Sequence, residues 1–305
     1  MMASDVTSQS PVRDLGQPMA QPSATAKPAV ASWRFLSIDW PTAAEQMSFD
    51  EELAARGEPV LRLFRWRTPA LSYGYRQTLP AWADPQTLAQ HGVECVERPT
   101  GGGIAVHGSD LSCAIVVPQA SVPELDGLME LVCRSFADSV RGFGVPARWL
   151  LEASTGSRVD WCLTGESPYA IMVGQQKLCG FAIRRFERQW LVQGSLLVRA
   201  IPEAILHVMP EAVARTFHER AIALQRAAIR KIFDEELTAA IARAWRTVWG
   251  VPCEWVDAQW PRAQAAQWLE SHGPVSTKWW HKTFSPTRPI GWEEQAPDHR
   301  CQGNV

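Results

Sequence analysis

Three features of this 305-residue chain carry groups that can do chemistry. The first is the run Arg98-Pro99-Thr100-Gly101-Gly102-Gly103. Three successive glycines let a backbone approach a ligand closely and reach positive φ without steric cost. Exposed N–H groups in such a turn cradle a carboxylate, a phosphate or a carbonyl, and Arg98 would stand beside them as a charged anchor. The same run also reads as a plain flexible hairpin turn. The pattern is neither G-x-x-x-x-G-K-[ST] nor G-x-G-x-x-G, so it supports no nucleotide-binding loop of those kinds. The second feature is Lys177, which opens the apolar run KLCGFAI behind Gly174. It is either a point charge aimed into a cleft or a solvated lysine at a hairpin end. Gly180, three residues on, either admits a ligand closely or marks a bulge. The third is Cys162, within the loop-like SRVDWCLTGESP. A nucleophilic thiol needs access and a positive neighbour to lower its pKa. Lys177 lies fifteen residues downstream, enough for a loop to fold back over a strand.

The elements that must position these groups are legible in outline. AAEQMSFDEELAAR (43–56) puts Met47, Phe49 and Leu53 near one helical face, and Gly57 stops it. VLRLFRW (60–66) and ALSYGYR (70–76) read as two strands joined by a short turn at Thr68-Pro69. A helix is expected at 84–91, a strand into the glycine run, a second strand over 111–117, and a helix over 122–141. A strand pair follows at 169–185 and 189–198, with Gly174 at a turn. Residues 201–249 read as mainly helical, punctuated by Pro202 and Pro210. Strands first and helices later predict an α+β fold.

Composition narrows the class. Hydrophobic residues make up 46% and charged residues 20%, enough for a sizeable core. A formal net charge of -2 argues against nucleic acid as a partner. No apolar run reaches the ~18 residues that span a bilayer, and the N-terminus does not read as a secretory signal, so a cytoplasmic location without membrane partners is expected. Seven cysteines, an odd number with no C-x-x-C pair, predict neither a disulfide framework nor a zinc site. Cys95, Cys113 and Cys133 read as small buried hydrophobes. Residues 1–31, rich in Ser, Ala, Pro and Gln, are expected to be a mobile leader. The folded domain is expected over 32–252 and a Trp-rich tail over 253–305.

Taken together, three blocks resemble the biotin/lipoate protein ligase superfamily in its lipoate branch. ERPTGGGIAVHGSDLSCAIVVP (97–118) is similar to that family's Arg-x-[Ser/Thr]-Gly-Gly-Gly-x-x-x-His motif and following strand. VGQQKLCGFAIRR (173–185) is similar to its Gly-x-x-Lys-[Ile/Leu]-x-Gly-x-Ala element, and QGSLLV (193–198) to its His-Gly-[Thr/Ser]-Leu-Leu strand. The resemblance implies a mixed, largely antiparallel sheet flanked by helices, with an acyl tunnel between the glycine turn and the lysine strand. Two positions differ from the pattern. Gln193 stands in place of the histidine, and Phe181 stands where serine is common, where its bulk is expected to reshape the acyl pocket.

Within that branch, LipM-type octanoyltransferases carry an acyl-accepting cysteine in a loop before the lysine strand, and Cys162 has that position and spacing. The resemblance therefore implies a transferase moving an octanoyl or lipoyl group through a Cys162 thioester, with no cofactor. The donor would be acyl carrier protein. The acceptor would be a lysine on a lipoyl domain or a glycine-cleavage H-type protein. Lys177 would lower the Cys162 pKa, and backbone N–H groups at Gly101, Gly102, Gly103 or Gly180 would hold the oxyanion. Arg98 would help bind substrate. His107 is either a proton carrier or a structural histidine. The neighbouring ligase group would instead use ATP and Mg with Cys162 incidental, and a non-catalytic paralogue would only bind lipoyl domains.

Overall fold

The computed structural model describes residues 30–151 and 168–256. Chain order begins with strand β1 (Trp33–Ser37) and helix α1 (Ala43–Arg56). Thr42 and Glu45 close a capping box at the start of α1, and Gly57, at φ 70°, ends it by donating to Leu53 O. Strands β2 (Val60–Phe64) and β3 (Ala70–Tyr73), helix α2 (Pro85–Gln90) and strands β4 (Glu94–Glu97), β5 (Ala105–His107) and β6 (Asp110–Pro118) follow. Next come α3 (Leu125–Arg141), β7 (Ala147–Leu150), β8 (Ala170–Val173), β9 (Gln176–Arg185) and β10 (Gln189–Leu197). The remaining described elements are α4 (Glu203–Val208), α5 (Glu211–Arg220), α6 (Leu224–Ala227), α7 (Asp234–Trp249) and β11 (Cys253–Val256).

The strands form an eight-stranded sheet, β11-β1-β2-β6-β10-β9-β8-β7, and a three-stranded sheet, β4-β3-β5. Only the β11-β1-β2 end of the large sheet is parallel. The rest is antiparallel, so the sheet is mixed and largely antiparallel, as expected. Side chains alternate across it. One face, carrying Leu63, Cys113, Ile115, Val192 and Phe181, packs on α3 and α7. The other face packs on α1 at one end, through Val60, Ala114 and Val116. The small sheet, backed by α2, α4 and α5 through Leu71, Val106, Leu88, Ile205 and Phe217, builds the third cluster.

Two features differ from the sequence reading, and a third refines it. The strands at 60–66 and 70–76 do not pair with each other: β2 joins the large sheet and β3 the small one. The chain leaving β2 is pinned by Arg65, whose N–H donates to Asp39 and whose guanidinium donates to Asp110 O, and it crosses between the sheets before β3 begins. The first residues assigned to the tail, Cys253–Val256, form the edge strand beside β1. The helical stretch is four helices, two of them starting directly after Pro202 and Pro210. The rest of the expected tail, residues 257–305, lies outside the described residues.

Candidate active site

The site is a trough between the two sheets. Its floor follows from register. Gly180, Ser195, Ser112 and Phe64 are cross-strand partners in one row, and Ala182, Gln193, Ala114 and Arg62 in the next. Small side chains on β9, β10 and β6 leave a groove running across the strands, about 14 Å from β9 to β2 at the usual ~4.8 Å strand spacing. Ser72 of β3 and His107 of β5, with Arg98, roof it. The resulting pocket is open on one side, and Met47 and Trp66 lie among its walls.

Phe181 does not enter this trough. It lies in the alternate row and points to the helices, where its ring is 5.4 Å from Phe136, edge to face. The ring lies across Gly194: a Cβ there would come within 2.6 Å of Phe181 and 2.8 Å of Cys113 Sγ. The bulk at position 181 is thus matched by the glycine on β10 and leaves the pocket's shape untouched.

The glycine turn is organised by Arg98. Its guanidinium donates to Ser72 O at 3.1 Å and to Gly101 O and Gly103 O at 2.6 Å each. The charged anchor expected from the sequence therefore acts first on the turn itself. In a trans peptide the C=O and N–H point opposite ways. Holding those two carbonyls inward turns the N–H groups of Gly102 and Ile104 away from the guanidinium. Gly102 has φ 90°, and the place of its absent Cβ lies 3.9 Å from Ala182, so the turn sits over the floor. Gly101 faces open space. Gly74 permits this packing, since a Cβ there would lie 2.1 Å from Gly102 O. Gln193 ties the turn to α1: it accepts from Thr100 Oγ1 at 2.7 Å and donates to Asp50 Oδ2 at 2.6 Å. Asp50 in turn pairs with the fully buried Arg62.

His107 is held at both ring nitrogens. Nε2 lies 2.8 Å from Ser72 Oγ and Nδ1 2.9 Å from Asp110 Oδ2, and the ring stacks on Trp66 at 4.0 Å. Asp110 also accepts from Gly108 N, Ser112 Oγ and Ser195 Oγ. Burial alone would raise its pKa, but His107 and the hydroxyl donors outweigh that and hold its carboxyl below the usual range.

Lys177 is buried, at 2% exposure. Its carbonyl accepts from Ile222 N at 3.0 Å. The register of β8 on β9 slips at this point: Met172 pairs with Lys177 and Ile171 with Cys179, leaving Leu178 as an extra residue. A bulge of this kind resets the alternation. Lys177 therefore shares a face with Gly180 and the trough, whereas Cys179 faces the helical core beside Ile171. Strand alternation alone would put Lys177 and Cys179, two residues apart, on one face, and the bulge cancels this.

Cys162 lies outside the described residues. The strands that lead to and from its segment are described: Leu150 pairs with Ala170, and Ala170 pairs with Gly180. Both roots of the segment thus extend the row Gly180–Ser195–Ser112–Phe64 that floors the trough. Eight residues separate Cys162 from Ala170, a span of at most about 27 Å. Burial raises the thiol pKa of Cys113 and Cys133 and pushes that of Cys95 up to about 12, so these three are poor nucleophiles.

Of the residues singled out in the sequence, Arg98, His107 and Gly180 line the cavity, Gly101, Gly102 and Gly103 form its edge, and Lys177 stands three residues from Gly180 on the same face. Ser72, Asp110, Ser195 and Gly74 escaped notice. Asp110 had one signal, its place three residues after His107; Ser72 and Gly74 had none outside the strand pairing.

Two facing sheets enclosing a narrow trough under a glycine turn give the lipoate-ligase type of catalytic fold. The lipoyl protein ligase A/B catalytic domain family matches residues 40–246, and the chain belongs to that family. Within it the chain is LipM-like. It is 29% identical over 245 residues to octanoyltransferase LipM of Kyrpidia tusciae, covering 73% of this chain and 89% of that protein. It is 24% identical to octanoyltransferase LipM of Geobacillus kaustophilus, covering 70% and 84%. The fold is shared with lipoate-protein ligase A bound with ATP, at TM-score 0.62 and 19% identity over 78% of this chain and 94% of that one. It is shared too with a bi-partite lipoate protein ligase of Thermoplasma acidophilum, studied with its E2 lipoyl domain, at TM-score 0.60 and 17% identity over 85% and 100%.

Proposed function

We propose that this chain is an octanoyltransferase that works through a covalent thioester on Cys162. The thiolate attacks the thioester of octanoyl-acyl carrier protein and releases the carrier thiol. The ε-amine of a lysine on a lipoyl domain or a glycine-cleavage H-type protein then attacks the acyl-enzyme and leaves an amide. Thioester to amide is downhill, so no nucleotide is required, and the covalent intermediate splits one difficult step into two. Lys177 favours the thiolate and orients the acyl carbonyl. The acyl chain lies over Gly180, Ser195 and Ser112, with N–H groups of the glycine turn facing the oxyanion.

The observation that carries this reading is the cross-strand row Leu150–Ala170–Gly180–Ser195–Ser112–Phe64. It roots the Cys162 segment at the β9 end of the trough, on the face that Lys177 shares. No helix among the described residues is long and apolar enough to cross a membrane, in keeping with a cytoplasmic reaction between protein partners. The test is transfer from octanoyl-acyl carrier protein to an isolated lipoyl domain without ATP. Modified lipoyl domain is expected. Modification that needs free acid and ATP, with pyrophosphate release, would instead assign a ligase reaction. Binding of the lipoyl domain with neither reaction would leave a non-catalytic paralogue.

A further inference from the structure

Ser72, His107 and Asp110 form one hydrogen-bonded line at the roof of the trough. Ser72 Oγ is 2.8 Å from His107 Nε2, and His107 Nδ1 is 2.9 Å from Asp110 Oδ2. All three are buried, at 1%, 5% and 1% exposure. Asp110 Oδ2 faces Nδ1 and so orients the ring with Nε2 toward the serine hydroxyl. The ring cannot easily turn, because it is stacked on Trp66 with an interplanar angle of 18°. Ser72 and His107 both line the cavity. Arg98 Nη1 lies 3.4 Å from the same hydroxyl oxygen, a positive charge beside any developing negative one.

Nucleophile, base and ring-orienting carboxylate in this order and at these distances are the arrangement that activates a serine for acyl transfer. The transferase reading makes no use of it. We propose that Ser72 is a second nucleophile of this protein, with His107 as its base and Asp110 as the positioning residue. Its substrates are small, unbranched carboxylic esters or thioesters whose carbonyl passes Gly180 into the trough. Ser72 Oγ bonds the carbonyl carbon as its proton passes to His107 Nε2. The bond to the leaving oxygen or sulfur breaks, and the leaving group takes that proton, leaving an ester on Ser72. Water then attacks the ester, giving a proton to Nε2. The acid departs and the proton returns to Ser72, so one ester and one water give one acid and one alcohol or thiol.

The proposal is independent of Cys162, and its test is read on a different residue. The full chain is treated with a short-chain alkyl fluorophosphonate, from which an activated serine displaces fluoride, and the adduct is located by intact mass and peptide mapping. One adduct on Ser72 is expected, kept in Cys162→Ala and absent in Ser72→Ala. Hydrolysis of p-nitrophenyl acetate by Cys162→Ala is expected to fall to background when Ser72→Ala is added. Asp110→Asn would present the wrong ring tautomer. It is expected to lower the maximal labelling rate by at least ~100-fold while the half-saturating probe concentration stays unchanged; equal changes in both would reduce Asp110 to a structural role. Should Ser72→Ala fail to fold, the peptide map of the unsubstituted chain decides alone. No adduct on the folded protein, or an adduct only elsewhere, overturns the proposal.

Discussion

Lys177 and Cys179 stand on opposite faces of β9, although only one residue separates them. The extra residue Leu178, opposite the step between Ile171 and Met172, turns Lys177 to the trough and leaves Cys179 among the helices. One bulge thus decides which of two polar-capable side chains faces the trough side of the sheet.

The two substitutions at this bulge are therefore expected to separate cleanly. Lys177→Ala should keep its melting temperature and lose transfer by at least ~100-fold, the scale of removing one preorganised electrostatic group. Cys179→Ala should lower stability by about 1–2 kcal/mol, through the small cavity it leaves, with transfer retained. Paired melting curves and initial rates check both. Normal turnover in Lys177→Ala, or loss of turnover in a stable Cys179→Ala, would contradict the face assignment.

Gly74 is expected to tolerate a side chain less well than Gly101 of the turn it packs against. A Cβ at 2.1 Å from Gly102 O must displace the turn. Overpacking of this kind costs about 1–3 kcal/mol, and under the proposed mechanism the displaced turn would lose its hold on the acyl carbonyl. Gly74→Ala should lower both the melting temperature and the transfer rate, whereas Gly101→Ala, whose Cβ meets nothing within 4 Å, should lower neither as much. Equal effects in the two variants would count against the packing described.

Glu51 gives the fold a pH signature. Burial pushes its carboxyl pKa up from 4.5 to about 7, with Arg184 opposing and Asp50 and Glu97 reinforcing. Between those two values the folded chain binds more protons than the unfolded one. Stability from this group is then full below about 4.5, falls as pH rises, and levels off above about 7. The shift corresponds to at most about 3 kcal/mol. Glu51→Gln should melt higher than the unsubstituted chain at pH 8 and match it near pH 4.5. A difference independent of pH would remove the carboxyl as its cause.

Much of the fold was legible because local signals agreed with one another. Helix α1 has its capping box, apolar face and terminal glycine, and β6 and β10 carry the apolar stretches CAIVV and WLV. The membership of β2 and β3 in different sheets was hidden, because alternation marks a strand but not its partner. β5 is three residues long, and β11 follows a Gly-Val-Pro break that reads as an end. In the site, the glycine turn, Lys177 and His107 announced themselves by type. Arg98's grip on the turn and the bulge at Leu178 did not, since the first needs the turn's carbonyls folded inward and the second is a slip of register between β8 and β9. The match of Phe181 to Gly194 was unreadable too: they are cross-strand partners on β9 and β10.

The most direct test of the central claim is intact-mass measurement after mixing the full chain with octanoyl-acyl carrier protein in the absence of ATP. The account predicts one added octanoyl group, removed by hydroxylamine, absent in Cys162→Ala and retained in Cys179→Ala. In Cys162→Ser a more stable oxygen ester is expected, because an ester resists aminolysis more than a thioester does. An unmodified chain that nonetheless modifies lipoyl domains when given free acid and ATP, or an adduct that survives in Cys162→Ala, would contradict it.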